Sequence, residues 1–359
     1  MMTVQTQTTT SAQDPPKSKS RSRFDFFVIR FLFVTTALLL IMAVSNVNIG
    51  SIGQGLAYAL VGVSVYMTFR VLNFPDLTVD GAFPVGGALC AAMIVAGGSA
   101  EVSLLAAFLA GSLAGLATGL ITIYLKIDGL LSSIIVTTGI YTVTLRVLSA
   151  RSNVPLIGED TILSPFVQPV RTWLTDIVGD QARRQANNLV EIAVFGIIVI
   201  LVLLVLNWFM HTQVGLTIRA TGKNSQMVRA LGINHYVMLL LALMVANGLA
   251  GLSGALVVQQ LGFADVSLGF GIIIRGLAAV MIGEVLLMPR SVGQHFVAAV
   301  LGMVIFEVSR AWVFAVLDLP TSDIRIVSAL VVLGALAAPT LAKRWREAQQ
   351  KSSRKQESA

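Results

Sequence analysis

Two segments of the chain place an aromatic residue, an aspartate and a hydroxyl residue in the same order. The first reads Phe74-Pro75-Asp76-Leu77-Thr78, and the second reads Phe263-Ala264-Asp265-Val266-Ser267. Each stands at the start of an apolar run, where carboxylate and hydroxyl oxygens either cap a helix or line a polar path. Both interpretations stay open for the two aspartates. Asp80 is a stronger candidate for a specific role, because its counterpart at position 269 is a glycine.

The similarity extends beyond these segments and indicates an internal repeat. Superposing Phe74 on Phe263 also matches Leu60 with Leu249, Gly62 with Gly251, Ser64 with Ser253, Leu72 with Leu261, and Gly87 with Gly276. Leucine and glycine matches arise easily by chance in apolar sequence, whereas the aspartate and phenylalanine matches do not. The basic residues, described below, place the first copy at the cytoplasmic side and the second at the outer side. The copies are therefore predicted to be inverted repeats, as in many transport proteins.

A basic loop, residues 211–235, lies between two long apolar runs and predicts a docking site for a partner protein. It contains the pattern of a short amphipathic helix that has no apolar neighbour of its own. The residues of this pattern are the capping Asn224, Ser225 and Gly232 and the apolar Met227, Val228 and Leu231. The alternative interpretation is a surface loop that only follows the charge bias of cytoplasmic segments.

The composition identifies the class of protein that carries these segments. Of 359 residues, 55% are hydrophobic and 12% are charged, and the mean hydropathy is +0.82. These values predict an all-α polytopic membrane protein with about ten transmembrane helices, since apolar runs of about 20 residues span a bilayer. The runs lie near 26–44, 51–72, 80–98, 103–125, 129–148, 189–210, 236–258, 270–288, 291–314 and 326–342.

The basic residues predict the orientation of these helices. Lys and Arg accumulate in short cytoplasmic loops, and placing both termini in the cytoplasm puts most of them there. Residues 1–23 form a basic arm predicted to be disordered, and residues 343–359 form a basic tail. Orientation thus accounts for the net charge of +7, and nucleic-acid binding is not needed to explain it.

Ionisable residues within the apolar runs have more ordinary interpretations. Glu307 and Arg310 are three positions apart on one predicted helix and are expected to form an ion pair. Arg275 faces either a pathway or an external partner, and Glu284 lies near the cytoplasmic end of its run. The outer segment, residues 151–188, contains an amphipathic pattern that predicts an interfacial helix or a docking surface for an external partner.

Several kinds of chemistry are missing from the sequence. Thr221-Gly222-Lys223-Asn224 lacks the upstream glycine and the final hydroxyl of a phosphate-binding loop, so ATP binding by that route is excluded. The three histidines are far apart in the chain, and Cys90 is the single cysteine. We therefore expect no enzyme site, no metal and no bound cofactor.

The chain resembles the permease subunit of bacterial ABC importers of the branched-chain amino acid permease type over most of residues 45–342. The resemblance rests on three segments. They are Asn73-Phe74-Pro75-Asp76-Leu77-Thr78-Val79-Asp80-Gly81, Arg151-Ser152-Asn153-Val154-Pro155-Leu156, and the loop from Arg219 to Asn234. The first two point to uncharacterised permeases that accompany lipoprotein-type binding proteins, some of them linked to tryptophan or tyrosine uptake.

The resemblance implies a division of labour among subunits in the bacterial inner membrane. Residues 24–342 form the permease domain, with repeat halves near 51–148 and 236–342. A second permease chain completes a dimer, an extracytoplasmic binding protein delivers the solute, and two ABC ATPase subunits use ATP. The residues expected at the ATPase are Arg219, Asn224, Met227, Arg229, Leu231 and Gly232.

The same resemblance assigns a pathway through the membrane for a small solute, an amino acid or a related compound. The residues expected at its two mouths are Asp76, Thr78, Asp80, Asp265 and Ser267, together with Arg275. An ion-coupled secondary transporter is the alternative, because it also uses inverted repeats and intramembrane carboxylates. Such a carrier needs no docking loop, so changes at Arg229 and Leu231 distinguish the two classes.

Overall fold

The protein is a bundle of helices, most of which are apolar enough to cross a membrane. The computed structural model describes residues 21–45, 48–178, 182–317, 326, 329–330 and 332–334. Within these ranges, seven helices have the length and composition of membrane spans, and two shorter apolar helices cover Phe26–Leu38 and Val79–Val95. The predicted all-α polytopic class is confirmed. Most of the predicted span 326–342, the tail, and residues 1–20 of the arm lie outside the described residues.

The helices follow the chain in a simple order, and their bounds are as follows: α1 Arg21–Ser45, α2 Gly50–Val65, α3 Val79–Val95, α4 Ala100–Tyr124, α5 Gly129–Val147, α6 Ser164–Val178, α7 Ala182–His211, α8 Gln213–Lys223, α9 Ser225–Ala230, α10 His235–Leu261, α11 Ile272–Leu287 and α12 Val292–Leu317. A π-helical turn, Tyr66–Val71, continues α2, and a 3-10 turn, Val266–Gly269, precedes α11. Helix α1 begins inside the predicted arm, so Arg21 to Arg23 are helical rather than disordered.

Two three-residue strands interrupt the helical architecture. Strand β1, Asn153–Pro155, pairs antiparallel with β2, Phe263–Asp265, so that Asn153 lies opposite Asp265. The sequence analysis does not predict these strands, because their partners are far apart in the chain and each strand is too short to show alternation. We call this end of the bundle the β end, and the opposite end, which carries α8 and α9, the α8 end.

Glycines allow the central helices to pack with their backbones close together. On α4, a side chain at Gly115 would overlap the carbonyl oxygen of Leu243 on α10, and one at Gly111 would overlap that of Asn247. Small residues permit this approach, which replaces the hydrophobic driving force that is absent between helices in lipid. Helix α10 is buried along most of its length as a result.

The two repeat copies exchange packing partners, so that the first helix of each copy packs against later helices of the other copy. The superposition of Phe74 on Phe263 equates α2 with α10, α3 with α11, and α4 with α12. In the structure, α2 packs against α11 and α12, whereas α10 packs against α3 and α4. Helices α2 and α10 run antiparallel, since Ala57 meets Ser253 and Gly53 lies near Gln260. The copies are therefore inverted in space, and each packed unit contains helices from both.

Ion pairs hold Glu307 and Glu284, two ionisable residues of the apolar runs. Arg310 forms the predicted ion pair with Glu307, 2.6 Å between Nη2 and Oε2, and its guanidinium also donates to Gln54 on α2. Glu284 pairs with Arg70 at the α8 end, also at 2.6 Å. In the outer segment, helix α6 forms as predicted, although the side chains from Trp173 onward lie outside the described ones.

Candidate translocation and coupling sites

The segment Leu72–Thr78 carries the chain from the α8 end back to the middle of the bundle. Phe74 lies against Gly129, the first residue of α5. Three residues later, the Leu77 carbonyl accepts a hydrogen bond of 3.0 Å from Thr137 Oγ1, eight positions along α5. An extended chain rises about 3.3 Å per residue and a helix about 1.5 Å per residue. The length of chain from Phe74 to Leu77 therefore matches the length of α5 from Gly129 to Thr137. Helix α3 therefore starts at mid-height rather than at the α8 end.

Asp76 caps this re-entrant turn and is fully buried. Its Oδ1 accepts from the Thr78 backbone N at 2.8 Å, and its Oδ2 accepts from Asn247 Nδ2 at 2.7 Å. Thr78 is also buried, and its hydroxyl pairs with that of Thr118 at 2.6 Å. In this conformation tertiary packing encloses Asp76 and Thr78 beneath α4 and α10, and their place at a mouth of the pathway stays a prediction.

Asp265 repeats the capping geometry in the second copy. Its Oδ1 accepts from the backbone N of Ser267 at 2.7 Å and from Ser267 Oγ at 2.5 Å. Its Oδ2 accepts from Asn153 Nδ2 on the opposite strand at 3.4 Å. Unlike Asp76, it lies in β2 at the β end, and Ser267 is exposed. The two matched aspartates thus share a backbone-capping geometry and differ in depth.

Asp80 joins the two inverted copies at the middle of the bundle. It lies in the first turn of α3, and its Oδ1 accepts a hydrogen bond of 2.9 Å from the backbone N of Ile273 in the first turn of α11. The backbone of the 3-10 turn also approaches Asp80 closely, because a side chain at Gly269 would overlap the Asp80 carbonyl oxygen. Two helix N-termini therefore meet at one carboxylate, and their dipoles favour its negative charge.

A cavity of about 370 Å³ opens beside Asp80. Tyr141 and Phe270 stand at its rim, with 44% and 65% of their surfaces exposed. It is lined by Asp80, Gly81, Pro84, Thr137, Thr138, Tyr141, Thr144, Val266 and Phe270. The lining combines one carboxylate with hydroxyl groups and two aromatic rings, which is the mixture expected of a small-molecule site.

Arg275 lies outside this cavity. Its guanidinium stands over the ring of Tyr58 on α2, 5.4 Å from the centroid, and that ring stacks on Phe83 of α3. A charged guanidinium over an aromatic face is a favourable contact. Of the six residues predicted for the pathway, only Asp80 lines the cavity.

The hydroxyl residues of α5 are the members of the site that the sequence analysis missed. Thr137, Tyr141 and Thr144 follow one another at positions i, i+4 and i+7, which places them on one face of a helix. Three hydroxyl residues at this spacing in an apolar run were a readable signal. Phe270 gave no comparable signal, because its position depends on the turn between β2 and α11.

The predicted coupling loop folds as two short helices, α8 and α9. Thr212 caps α8, and Asn224 caps α9 by accepting from the Met227 backbone N at 3.0 Å. Val228 is buried, whereas Met227 and Leu231 expose 49% and 69% of their surfaces. The three apolar residues therefore divide between the bundle and the surface instead of sharing one exposed face.

Charged residues surround the exposed part of α9. Arg229 Nε donates to His235 Nδ1 at 3.1 Å, and its guanidinium lies 5.5 Å from the centre of the Tyr236 ring. Gly232 ends the helix with a positive φ of 77°. Arg219 projects from α8 and is partly exposed. We call Asn224, Met227, Arg229, Leu231 and Gly232 the α9 surface.

Helix α8 also touches the start of the re-entrant segment. A side chain at Gly222 would overlap the carbonyl oxygen of Val71 and the backbone of Leu72. Helix α8 and the segment that leads to Asp80 are therefore in direct backbone contact, without an intervening side chain that could absorb a displacement.

Comparisons with known proteins agree with this architecture. A family model described as the permease component of branched-chain amino acid transport systems matches residues 48–336. A tyrosine transport system permease protein of Clostridioides difficile is 31% identical over 288 residues, covering 80% of this chain and 90% of that protein. An autoinducer 2 import system permease protein of Salmonella typhimurium is 24% identical, covering 80% and 75%.

One solved structure is also similar in part. It is PsaBC from Streptococcus pneumoniae in complex with Fab, with a TM-score of 0.41 and 16% sequence identity. The match covers 80% of this chain and 88% of that chain.

Proposed function

Since the chain belongs to the permease components of branched-chain amino acid transport systems, a family of ABC importer permeases, we propose that it forms the membrane pathway of an ATP-driven importer. The cargo is a small solute, an amino acid or a related compound, which an extracytoplasmic binding protein delivers. The family match carries this proposal, and the relative named for tyrosine transport supports the solute class.

The proposed orientation puts the α8 end in the cytoplasm of a bacterium, with ten spans and both termini inside. The support is the distribution of basic residues in the short connections between helices. Those that lie at the α8 end are Arg70, Lys126, Arg219, Lys223, Arg229 and Arg290, and positive charge in short loops favours the cytoplasmic side. The α9 surface then faces the compartment that contains ATP.

A second copy of the chain completes the pathway in this proposal. The cavity beside Asp80 opens at a flank of the bundle, where Tyr141 on α5, Phe270 in the turn before α11 and Ile274 on α11 are exposed. An open, partly polar cavity is unfavourable against lipid tails. A partner permease on this flank would close the cavity and turn it into a channel interior.

The proposed mechanism begins where the ATPase docks. An ATPase subunit that moves the α9 surface also moves α8, and Gly222 passes this displacement to Val71 and Leu72. The re-entrant segment connects them to Asp80 and the hydrogen bond with Ile273. Breaking and remaking this junction would let the two packed units rock against each other and expose the cavity to alternate sides.

The first test is purification of the tagged chain in mild detergent, followed by mass spectrometry and an ATPase assay. We expect an ABC ATPase subunit to co-purify, and we expect Arg229→Glu to abolish this association, since the change reverses the charge of the α9 surface. Arg151→Glu is the matched control, because Arg151 is an exposed arginine at the β end. A chain that purifies alone and transports solute along an ion gradient would refute the proposal in favour of a secondary carrier.

A further inference from the structure

We propose that the cavity beside Asp80 is a recognition site for the ammonium group of the transported solute, and that Asp80 is its specificity-determining residue. The inference rests on the proposed function and adds a requirement for a positive amine to it. Selection for the amine would then occur in the permease as well as in the binding protein.

The first observation is an unbalanced charge in the middle of the bundle. Asp80 belongs to neither of the ion pairs Arg70 with Glu284 and Arg310 with Glu307. Its hydrogen-bond donors are the neutral backbone N–H groups of Ile273 and Gly271. A carboxylate at this depth is costly unless it is paired or solvated. Because no basic residue lines the cavity, a cationic ligand supplies the missing charge.

The hydroxyl residues of α5 give the cavity a further preference for hydrogen-bond donors. Thr137 Oγ1 donates its proton to the Leu77 carbonyl, Thr138 Oγ1 donates to Ile134, and Thr144 Oγ1 donates to Ile140. A hydroxyl group has a single proton, so these three oxygens retain only acceptor capacity. Such a lining matches a group that carries several N–H donors and no acceptor, and an ammonium group is the simplest example.

The aromatic residues at the rim of the cavity also favour an ammonium group. The exposed rings of Tyr141 and Phe270 stand at the opening, and a π face attracts an ammonium ion. The described residues contain no cluster of three His, Cys, Asp or Glu side chains that could hold a metal ion. One carboxylate with neutral oxygens and aromatic rings therefore fits an organic ammonium group better than a divalent metal.

The cavity offers no comparable binding partner for the carboxylate group of a solute. Arg275, the basic residue of α11, is engaged with Tyr58 and does not line the cavity. The site is therefore expected to bind an amine whether or not the solute also carries a carboxylate. A solute that keeps the carboxylate but lacks the amine is expected to be rejected.

The single native cysteine makes this specificity measurable on the permease itself. Cys90 is fully buried, so a Thr138→Cys variant presents one accessible thiol at the cavity. The experiment uses the complete transporter in nanodiscs without its binding protein, and it follows the rate of maleimide labelling. The probes are tyrosine, tyramine, which lacks the carboxylate, and 3-(4-hydroxyphenyl)propionate, which lacks the amine.

We expect tyrosine and tyramine to slow the labelling and the amine-free acid to have no effect. Asp80→Asn in the same background retains an oxygen that can accept from Ile273 N but removes the charge, so the half-protecting amine concentration should rise at least about tenfold, which corresponds to about 1.4 kcal/mol. Asp128→Asn is the control, because Asp128 caps α5 at Leu130 N and lies outside the cavity.

Three results would overturn the inference. They are protection by the amine-free acid equal to that by tyramine, protection by none of the three probes, and unchanged protection in Asp80→Asn. Co-purification of the ATPase subunit and its basal ATP hydrolysis are measured on the same sample. If both persist while the labelling pattern contradicts the inference, amine recognition fails and the proposed function stands.

Discussion

Asp76 and Asp265 show how one local motif serves two different environments. Both accept a hydrogen bond from the backbone N two residues later, which is the turn geometry that aspartate favours. Asp76 is enclosed and also accepts from Asn247, whereas Asp265 is half-exposed at the β end. The repeated sequence therefore encodes the turn, and the surrounding helices decide how deeply it is buried.

This difference predicts unequal effects of the same substitution. Asp76→Ala leaves the Thr78 N–H and the Asn247 amide without an acceptor in the bundle, and an unsatisfied buried group costs about 1–3 kcal/mol. We expect Asp76→Ala to lower the Tm of the purified protein clearly more than Asp265→Ala does. Differential scanning fluorimetry in one detergent measures both variants, and equal losses would contradict the capping interpretation of Asp76.

At the scale of elements, the hydrophobic pattern predicted the helices well and their depth poorly. The runs near 80–98 and 270–288 correspond to α3 and α11, but these helices begin halfway through the bundle. Their starting points depend on contacts such as Asp76 with Asn247, which are 171 residues apart, and Asp80 with Ile273, which are 193 apart. No local pattern carries such information, and the same reason explains the missed strands.

Only part of the candidate site was predicted, because the positions of its other members also depend on long-range contacts. Asp80 stood out because its repeat counterpart lacks a carboxylate, and the structure places it in the cavity. Arg275 was selected as a charge in an apolar run and Asp265 as the repeat counterpart of Asp76, but a guanidinium also finds an aromatic face, and an aspartate before a turn also finds a backbone N–H. Charge alone does not distinguish these arrangements from a pathway.

The contact between α8 and the re-entrant segment leads to a prediction about coupling. Gly222→Ala introduces a side chain that overlaps the Val71 carbonyl, so α8 must move away from the bundle. We expect solute uptake per ATP hydrolysed to fall about tenfold, as it would if the barrier to the transport step rose by about 1.4 kcal/mol, while the ATPase subunit still co-purifies.

The control for this variant is Gly196→Ala on α7, where the nearest atom to an added side chain is Leu56 Cδ1 at 3.9 Å. Reconstituted proteoliposomes allow uptake and hydrolysis to be measured together. If Gly222→Ala transports as efficiently as Gly196→Ala, displacement of the re-entrant segment is not the coupling step.

At the scale of the whole molecule, the proposed orientation is open to a direct labelling experiment. Cys90 is buried, so Lys126→Cys at the α8 end and Glu159→Cys near the β end each supply one exposed thiol. In cells whose outer membrane or cell wall has been removed but whose plasma membrane is intact, a membrane-impermeant maleimide should label Glu159→Cys at once. Lys126→Cys should react only after the membrane is permeabilised, and the reverse pattern would require the opposite orientation.

The exchange of partners between the repeat copies has a consequence for biosynthesis. Helix α2 is among the first spans to leave the ribosome, yet it packs against α10, α11 and α12. Gln54 finds Arg310, and Arg70 finds Glu284, only after more than half of the chain has been made. During this interval the Gln54 amide and the Arg70 guanidinium lack these partners. Assembly of the bundle therefore follows membrane insertion, and the early helices depend on completion of the chain.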